Sequence, residues 1–229
     1  MARVELLDPK VHGELRYDAR RAARENRDRF VQIAPIEFPL VAVRYPIFLS
    51  KDAETGGFYF GAMLGIDPDE NLYAGDDAIA APYRPLQLQR LPFFLAAEGL
   101  AADLENPYLS ETGPGETLFD FTGEYSDYLQ TVRTALVALH NGMDSGRALA
   151  RTLLEHDLVE SVEIELSFDD GSTRTLEGLY SVSRDSLSAL PDTVVTSLFR
   201  SGDLERIHLL LASLKCVPMV AARKNARLG

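Results

Sequence analysis

Arginines set among tyrosines and prolines are the residues of this chain best equipped for chemistry. Arg44-Tyr45-Pro46, Asn71-Leu72-Tyr73 and Tyr83-Arg84-Pro85 fall in one stretch, which closes on Arg90 and Leu91-Pro92-Phe93-Phe94. Adding Glu37 just upstream and His12 near the N-terminus gives a candidate ligand-binding set: His12, Glu37, Arg44, Tyr45, Asn71, Tyr73, Tyr83, Arg84 and Arg90. A planar guanidinium beside flat phenol walls can hold a carboxylate or a peptide backbone. The same residues can instead form a buried arginine–glutamate pair that locks a loop, with Glu37 and Arg90 the pair expected. Both readings stay open, and no catalytic residue is assigned.

The remaining reactive side chains read as structural. His140 and His156 are expected at helix C-termini, where the backbone dipole favours a cation, and His208 on an amphipathic helix. His12 is expected to dock an N-terminal arm through hydrogen bonds. No two histidines have metal-ligand spacing, so no metal is expected. A phosphate loop, a dinucleotide fingerprint and a nucleophile elbow are all missing, and no cofactor is expected. Glu163 and Glu165 fall on the outward side of a strand. Cys216, the one cysteine, sits in an apolar run and reads as a buried thiol rather than a nucleophile.

The elements that must position these residues change character along the chain. Residues 8–30 read as a polar helical arm starting at Asp8-Pro9, with Glu25–Arg29 and Arg24–Asp28 as i,i+4 pairs on a solvated face. Phe30–Ile33 alternates like an edge strand. Phe48-Leu49 and Phe58–Ile66 form a hairpin across a polar loop ending in Gly56-Gly57. Asn71–Ala74 is expected to be a further strand, and 99–116 a loop-like stretch. Tyr125, Tyr128, Leu129, Val132, Leu136 and Leu139 share one face of an amphipathic helix. Asn141-Gly142 is expected to end that helix in a left-handed cap. Asp144 or Ser145 would then start a second, antiparallel helix carrying Leu149, Leu153 and Leu154. Val159–Phe168 and Thr173–Val182 alternate on either side of Asp169-Asp170-Gly171-Ser172 and read as a hairpin interrupted at Gly178. Helices over Arg184–Leu190, Asp192–Arg200 and Asp203–Leu214 follow, and Arg223, Lys224 and Arg227 read as a frayed end.

Composition narrows the function classes. With 229 residues the chain can bury a substantial core, and a formal net charge of −12 opposes binding to a phosphate backbone. No apolar run is long enough to span a membrane. The N-terminus lacks the pattern of a signal peptide, so a cytoplasmic location is expected.

The ordered set of motifs resembles the SapC family of bacterial proteins. It comprises Arg44-Tyr45-Pro46-Ile47-Phe48, Met63-Leu64-Gly65, Glu70-Asn71-Leu72-Tyr73, Tyr83-Arg84-Pro85, Arg90-Leu91-Pro92-Phe93 and Thr117-Leu118-Phe119-Asp120. Leu176-Glu177-Gly178-Leu179-Tyr180-Ser181-Val182 and Gly202-Asp203-Leu204 continue the series, and His12, Leu15-Arg16 and Glu37-Phe38 match the family's opening. Members usually carry a tryptophan where this chain has Ala78-Ile79-Ala80, so that indole is not available here as a stacking surface. The resemblance implies a surface-layer context, and gene neighbourhoods with flavin-dependent halogenase-like and TonB-dependent receptor genes.

The expected architecture is α+β: an antiparallel or mixed sheet of short strands with helices of the C-terminal half packed against it. It is read as a single domain over residues 1–229, with a candidate internal division near 99–116. The leading functional expectation is a non-enzymatic peptide- or protein-binding accessory protein with a protein or peptide partner. An enzyme or enzyme subunit using the arginine–tyrosine cluster, and a surface-layer subunit, are the alternatives. Oligomeric state is left open.

Overall fold

The computed structural model describes residues 3–75 and 81–228. In chain order the strands are β1 (Val4–Leu6), β2 (Arg16–Tyr17), β3 (Phe30–Gln32), β4 (Ile47–Lys51), β5 (Phe58–Met63), β6 (Phe93–Ala96), β7 (Gly99–Asp103), β8 (Leu109–Ser110), β9 (Glu116–Thr117), β10 (Val159–Ser167) and β11 (Thr173–Val182). The helices are α1 (Pro9–His12), α2 (Ala19–Glu25), α3 (Phe38–Val41), α4 (Leu86–Arg90), α5 (Asp127–Glu155), α6 (Arg184–Ser188), α7 (Asp192–Ser201), α8 (Asp203–Ser213) and α9 (Val217–Leu228). Among the described residues every strand pairing is antiparallel and helices dominate the C-terminal half, so the class is α+β as expected. Two compact units interleave in sequence: Met1–Asn26 with Ala74–Asn141, and Arg27–Tyr73 with Gly142–Gly229.

In the first unit β1, β7 and β6 form one sheet and β8, β2 and β9 another. Leu7, Tyr17, Phe93, Leu100, Leu118, Leu129 and Val132 lie at the centre of its core. The stretch expected to be loop-like from 99 onward contains β7, which is the middle strand of its sheet. A tight β6–β7 hairpin pairs Ala96 with Gly99, and the Leu100 N–H donates to the Tyr125 hydroxyl at 3.0 Å. The polar arm is likewise more broken than its charge pattern implies. Asp8 caps α1 as expected, accepting from the Lys10 N–H at 2.8 Å, but β2 separates α1 from α2. Because α2 ends at Glu25, the expected pairs Glu25–Arg29 and Arg24–Asp28 do not lie within one helix, and Arg21–Glu25 forms an i,i+4 bridge at 2.9 Å on α2. Replacing Asp8 with alanine is expected to cost about 1 kcal/mol through the lost cap. For a chain of this size that lowers Tm by about 2–4 °C, and an unchanged melting curve would remove the cap from the account.

The second unit is built on the five-stranded sheet β10-β11-β4-β5-β3. The β4–β5 hairpin turns where expected, with Gly56 at φ 68°, and β3 takes the edge beyond β5. The long β10–β11 hairpin keeps the expected alternation. Its register shifts between Val162 and Ile164, opposite Gly178 at φ 74°, which allows the extra residue of a bulge. Asn71–Ala74 is not a strand, because the Asn71 side chain accepts from the Tyr73 N–H at 2.8 Å and folds the segment into a turn. Helix α8 packs against β4 and β11. There the buried Ser213 hydroxyl accepts from the Ile47 N–H at 2.8 Å and donates to the Leu210 carbonyl at 2.6 Å. Cys216 is buried, its thiol lies 3.5 Å from the Ala42 carbonyl, and burial pushes its pKa up, as suits an unreactive thiol.

The largest departure from the sequence reading is α5, one unbroken helix of 29 residues where two antiparallel helices were expected. Asn141-Gly142 does not stop it. A Cβ on Gly142 would stand 2.4 Å from the Cβ of Ala34, so this glycine serves a close approach of the helix to the Ala34-Pro35 turn. The stop comes instead at Asp157, in the left-handed region at φ 54°, while the Leu158 N–H reaches back to the Leu153 carbonyl at 2.9 Å. His140 is consequently an exposed mid-helix residue and not a C-terminal one.

The basic end of the chain is not frayed either. It forms α9, whose Lys224 Nζ lies 2.7 Å from Asp67 Oδ2 and 2.6 Å from Glu70 Oε1. Among the described residues no helix is long and apolar enough to cross a membrane.

Candidate functional site: a tyrosine- and arginine-lined cavity

Glu37, Arg44, Tyr45, Asn71 and Tyr73 fall in the second unit, and His12, Tyr83, Arg84 and Arg90 in the first. In the second unit they build a buried support. Glu37 is 2% exposed and its carboxylate accepts from the Ala34 N–H at 2.8 Å. The Arg44 guanidinium lies 5.6 Å from the Tyr45 ring centre and 5.4 Å from that of Tyr73, and its Nε donates to the Tyr45 hydroxyl at 3.1 Å. The Tyr73 hydroxyl donates to the Arg44 carbonyl at 3.0 Å, and Arg223 of α9 covers the same ring at 4.5 Å. Burial pushes the Tyr73 phenol up to about 12, so it stays a donor across the ordinary pH range. Cations on ring faces and a donor–acceptor loop between Arg44 and Tyr73 fix this turn.

In the first unit His12 is buried beside β1, its Nδ1 accepting from the Asp8 N–H at 3.0 Å and its Nε2 3.8 Å from Glu5. Both partners belong to the N-terminal stretch itself, so these bonds organise the start of the chain. Arg90 bonds to Gln87 Oε1 at 3.1 Å and to the Phe93 carbonyl at 3.3 Å, and stacks on Phe94 at 5.2 Å. These contacts all lie within its own unit, and they engage its side chain with α4 and β6. Burial lowers its pKa.

Tyr83 and Arg84 border a cavity of about 500 Å³ inside the first unit. Opposite them stand Tyr17 from β2, Arg20 from α2, Leu88 from α4 and Tyr128 from α5. The wall is held from the core side. Tyr17 stacks on Tyr128 with ring centres 5.8 Å apart, and Phe93 meets both rings edge-on at 5.5 and 6.3 Å. The Gln89 side-chain amide donates to the Arg84 carbonyl, which secures the entry into α4.

Burial pushes the Tyr17 phenol up to about 12, partly offset by the positive charge of Arg84, and it raises the Tyr128 phenol further in the same way. Tyr17 is 3% exposed. Neither phenol hydroxyl bonds to a described residue, and neither is fully buried: among these residues the one fully buried side-chain atom without a partner is Ser181 Oγ. A second cavity of about 370 Å³, against the bulged part of β11, includes none of the candidate residues.

The SapC family model matches residues 7–219, almost the whole chain. The chain belongs to the SapC family. No curated protein and no solved structure matched it. The family match stops before Arg223 and Lys224, so the fixing of the Asp67–Tyr73 turn by α9 lies beyond the matched residues of this SapC protein. The Ala78-Ile79-Ala80 segment, where the resemblance led to a tryptophan being expected, lies outside the described residues.

Sequence reasoning missed Tyr17, Arg20 and Tyr128 as cavity residues. Arg20 looked like one charge on a solvated face, and Tyr128 like one more apolar position of an amphipathic helix. Only the pairing of β2 with β8 and β9 brings Tyr17 to the same cavity as Tyr128, and no local spacing signals such a contact.

Proposed function

We propose that this SapC-family protein is a non-enzymatic accessory protein that binds a peptide or protein segment in the first-unit cavity. Its setting would be the envelope-transport or halogenase-like systems that family membership implies. The observation that carries this reading is a cavity sized for one or two side chains, with phenol walls and arginines at Arg20 and Arg84. Aromatic and arginine side chains are those that most often anchor a partner. The placement of His12 supports binding over catalysis, since its ring is committed to the Asp8 backbone and does not border the cavity.

Thr131 gives a clean test, because it borders the cavity from the exposed side of α5. A Thr131→Trp variant fills the space without touching the core. Against an array of short synthetic peptides, the wild-type chain is expected to retain a subset rich in apolar and aromatic residues. The variant should bind that subset about ten-fold more weakly or worse, with Tm within about 2 °C of wild type. Equal binding by both proteins would remove the cavity from the reading, and a peptide recovered chemically altered would favour the enzyme alternative.

A further inference from the structure

We infer that the group this cavity selects is a carboxylate attached to a flat apolar body. This deepens the peptide-binding reading and rests on it. Among the described residues, no aspartate or glutamate borders the cavity. The charged side chains that border it are Arg20 and Arg84, both cationic. Arg20 is exposed at the rim and makes no hydrogen bond or ion pair among the described residues, and the charge of Arg84 acts on both Tyr17 and Tyr128.

Tyr17 is the telling residue. Its ring packs in the unit's core, while its hydroxyl, which bonds to no described residue and is not among the fully buried unpartnered atoms, is accessible at the border of this cavity. The exclusion of the phenolate by burial keeps this hydroxyl protonated at any physiological pH, so what it offers a charged ligand is a proton, not an acceptor. A carboxylate takes hydrogen bonds from a phenol and from a guanidinium at once, and such charge-assisted bonds are about twice as strong as neutral ones. The neighbouring faces of Tyr128, Tyr83, Leu88 and Val132 suit a ring or a branched aliphatic group.

Two sources carry this chemistry, the free C-terminus of a peptide and an acidic side chain within one. The test begins with phenylacetate and phenylacetamide, titrated into the full chain and followed by amide chemical shifts. It continues with tetrapeptides ending in phenylalanine as the acid, as the amide, and as the amide with a glutamate before the phenylalanine. The acid form of each pair is expected to bind about ten-fold more tightly than its amide. That preference should shrink to about three-fold or less in Tyr17→Phe, which removes only the hydroxyl, and in Arg20→Gln, which lies outside the core. If the glutamate restores binding to the amide, the source is a side chain, and if it does not, the source is the terminus. Either result supports the inference. Acid and amide binding equally would overturn it and leave the peptide reading standing. A preference that persists unchanged in both variants would overturn it as well. Binding by none of the probes would overturn both.

Discussion

Replacing Lys224 with methionine is expected to lower stability by about 2–3 kcal/mol, seen as a Tm drop of about 4–12 °C. The side chains of Lys224 and Glu70 are 12% and 14% exposed, and methionine would leave two carboxylates facing each other without their shared cation. The figure stays below that for a fully buried pair because Asp67 remains 30% exposed and Arg174 also bonds it, at 2.9 Å. The pH dependence has a definite sign. The hydrogen bonds of Lys224 and then Arg174 hold the Asp67 carboxyl below its usual range. Its contribution is therefore present above the unfolded carboxylate value of about 4 and is lost as pH falls through the depressed folded value. Burial pulls the Lys224 pKa down, but its bonds to Asp67 and Glu70 outweigh this and leave it raised. That share of stability is present below the unfolded lysine value of about 10.4 and is lost as pH rises through the higher folded one. Melting curves between about pH 3 and 6 should fall more gently in the variant than in the wild type. Parallel curves would show that the bridge contributes nothing.

Gly142→Ala is expected to destabilise the chain by up to about 2 kcal/mol, against the ordinary preference for alanine in a helix. Alanine gains about 1 kcal/mol over glycine in a helix interior. Here the new Cβ would lie 2.4 Å from the Cβ of Ala34, a backbone-fixed atom that can yield only if the Ala34-Pro35 turn shifts. Overpacking of this kind costs about 1–3 kcal/mol and cancels the helix gain. Gly146 is the control one turn on. A Cβ there would meet Pro35 Cδ at 3.5 Å, ordinary contact, so Gly146→Ala should raise stability by about 0.5–1 kcal/mol. Denaturant midpoints that move in the same direction for both variants would refute the close-approach role of Gly142.

The contrast at Gly142 also shows where the sequence was legible. The hairpins Ile47–Met63 and Val159–Val182 could be read because alternation and a turn glycine are local signals, and both are present. The Asp8 cap was readable for the same reason. Asn141-Gly142 carries an equally local signal, for a helix end, but it is overruled by a contact with Ala34, more than a hundred residues away. The C-terminal basic residues gave no hint of α9, because the acids that fix Lys224 lie about 150 residues earlier. Tyr83 and Arg84 entered the candidate set through their spacing with proline. Tyr17 and Tyr128 could not, since each is an ordinary member of its own element until the two rings stack.

The interleaving of the two units bears on how the chain is made. Val4 pairs with Asp103, so the opening strand must wait for about 100 further residues, roughly 5–20 s of ribosomal synthesis at 5–20 residues per second. Leu49 waits longer still, for Tyr180. Neither unit can therefore close while its first segment is emerging, and the nascent protein must stay soluble with unpaired strands from both. Such long-range pairing slows folding.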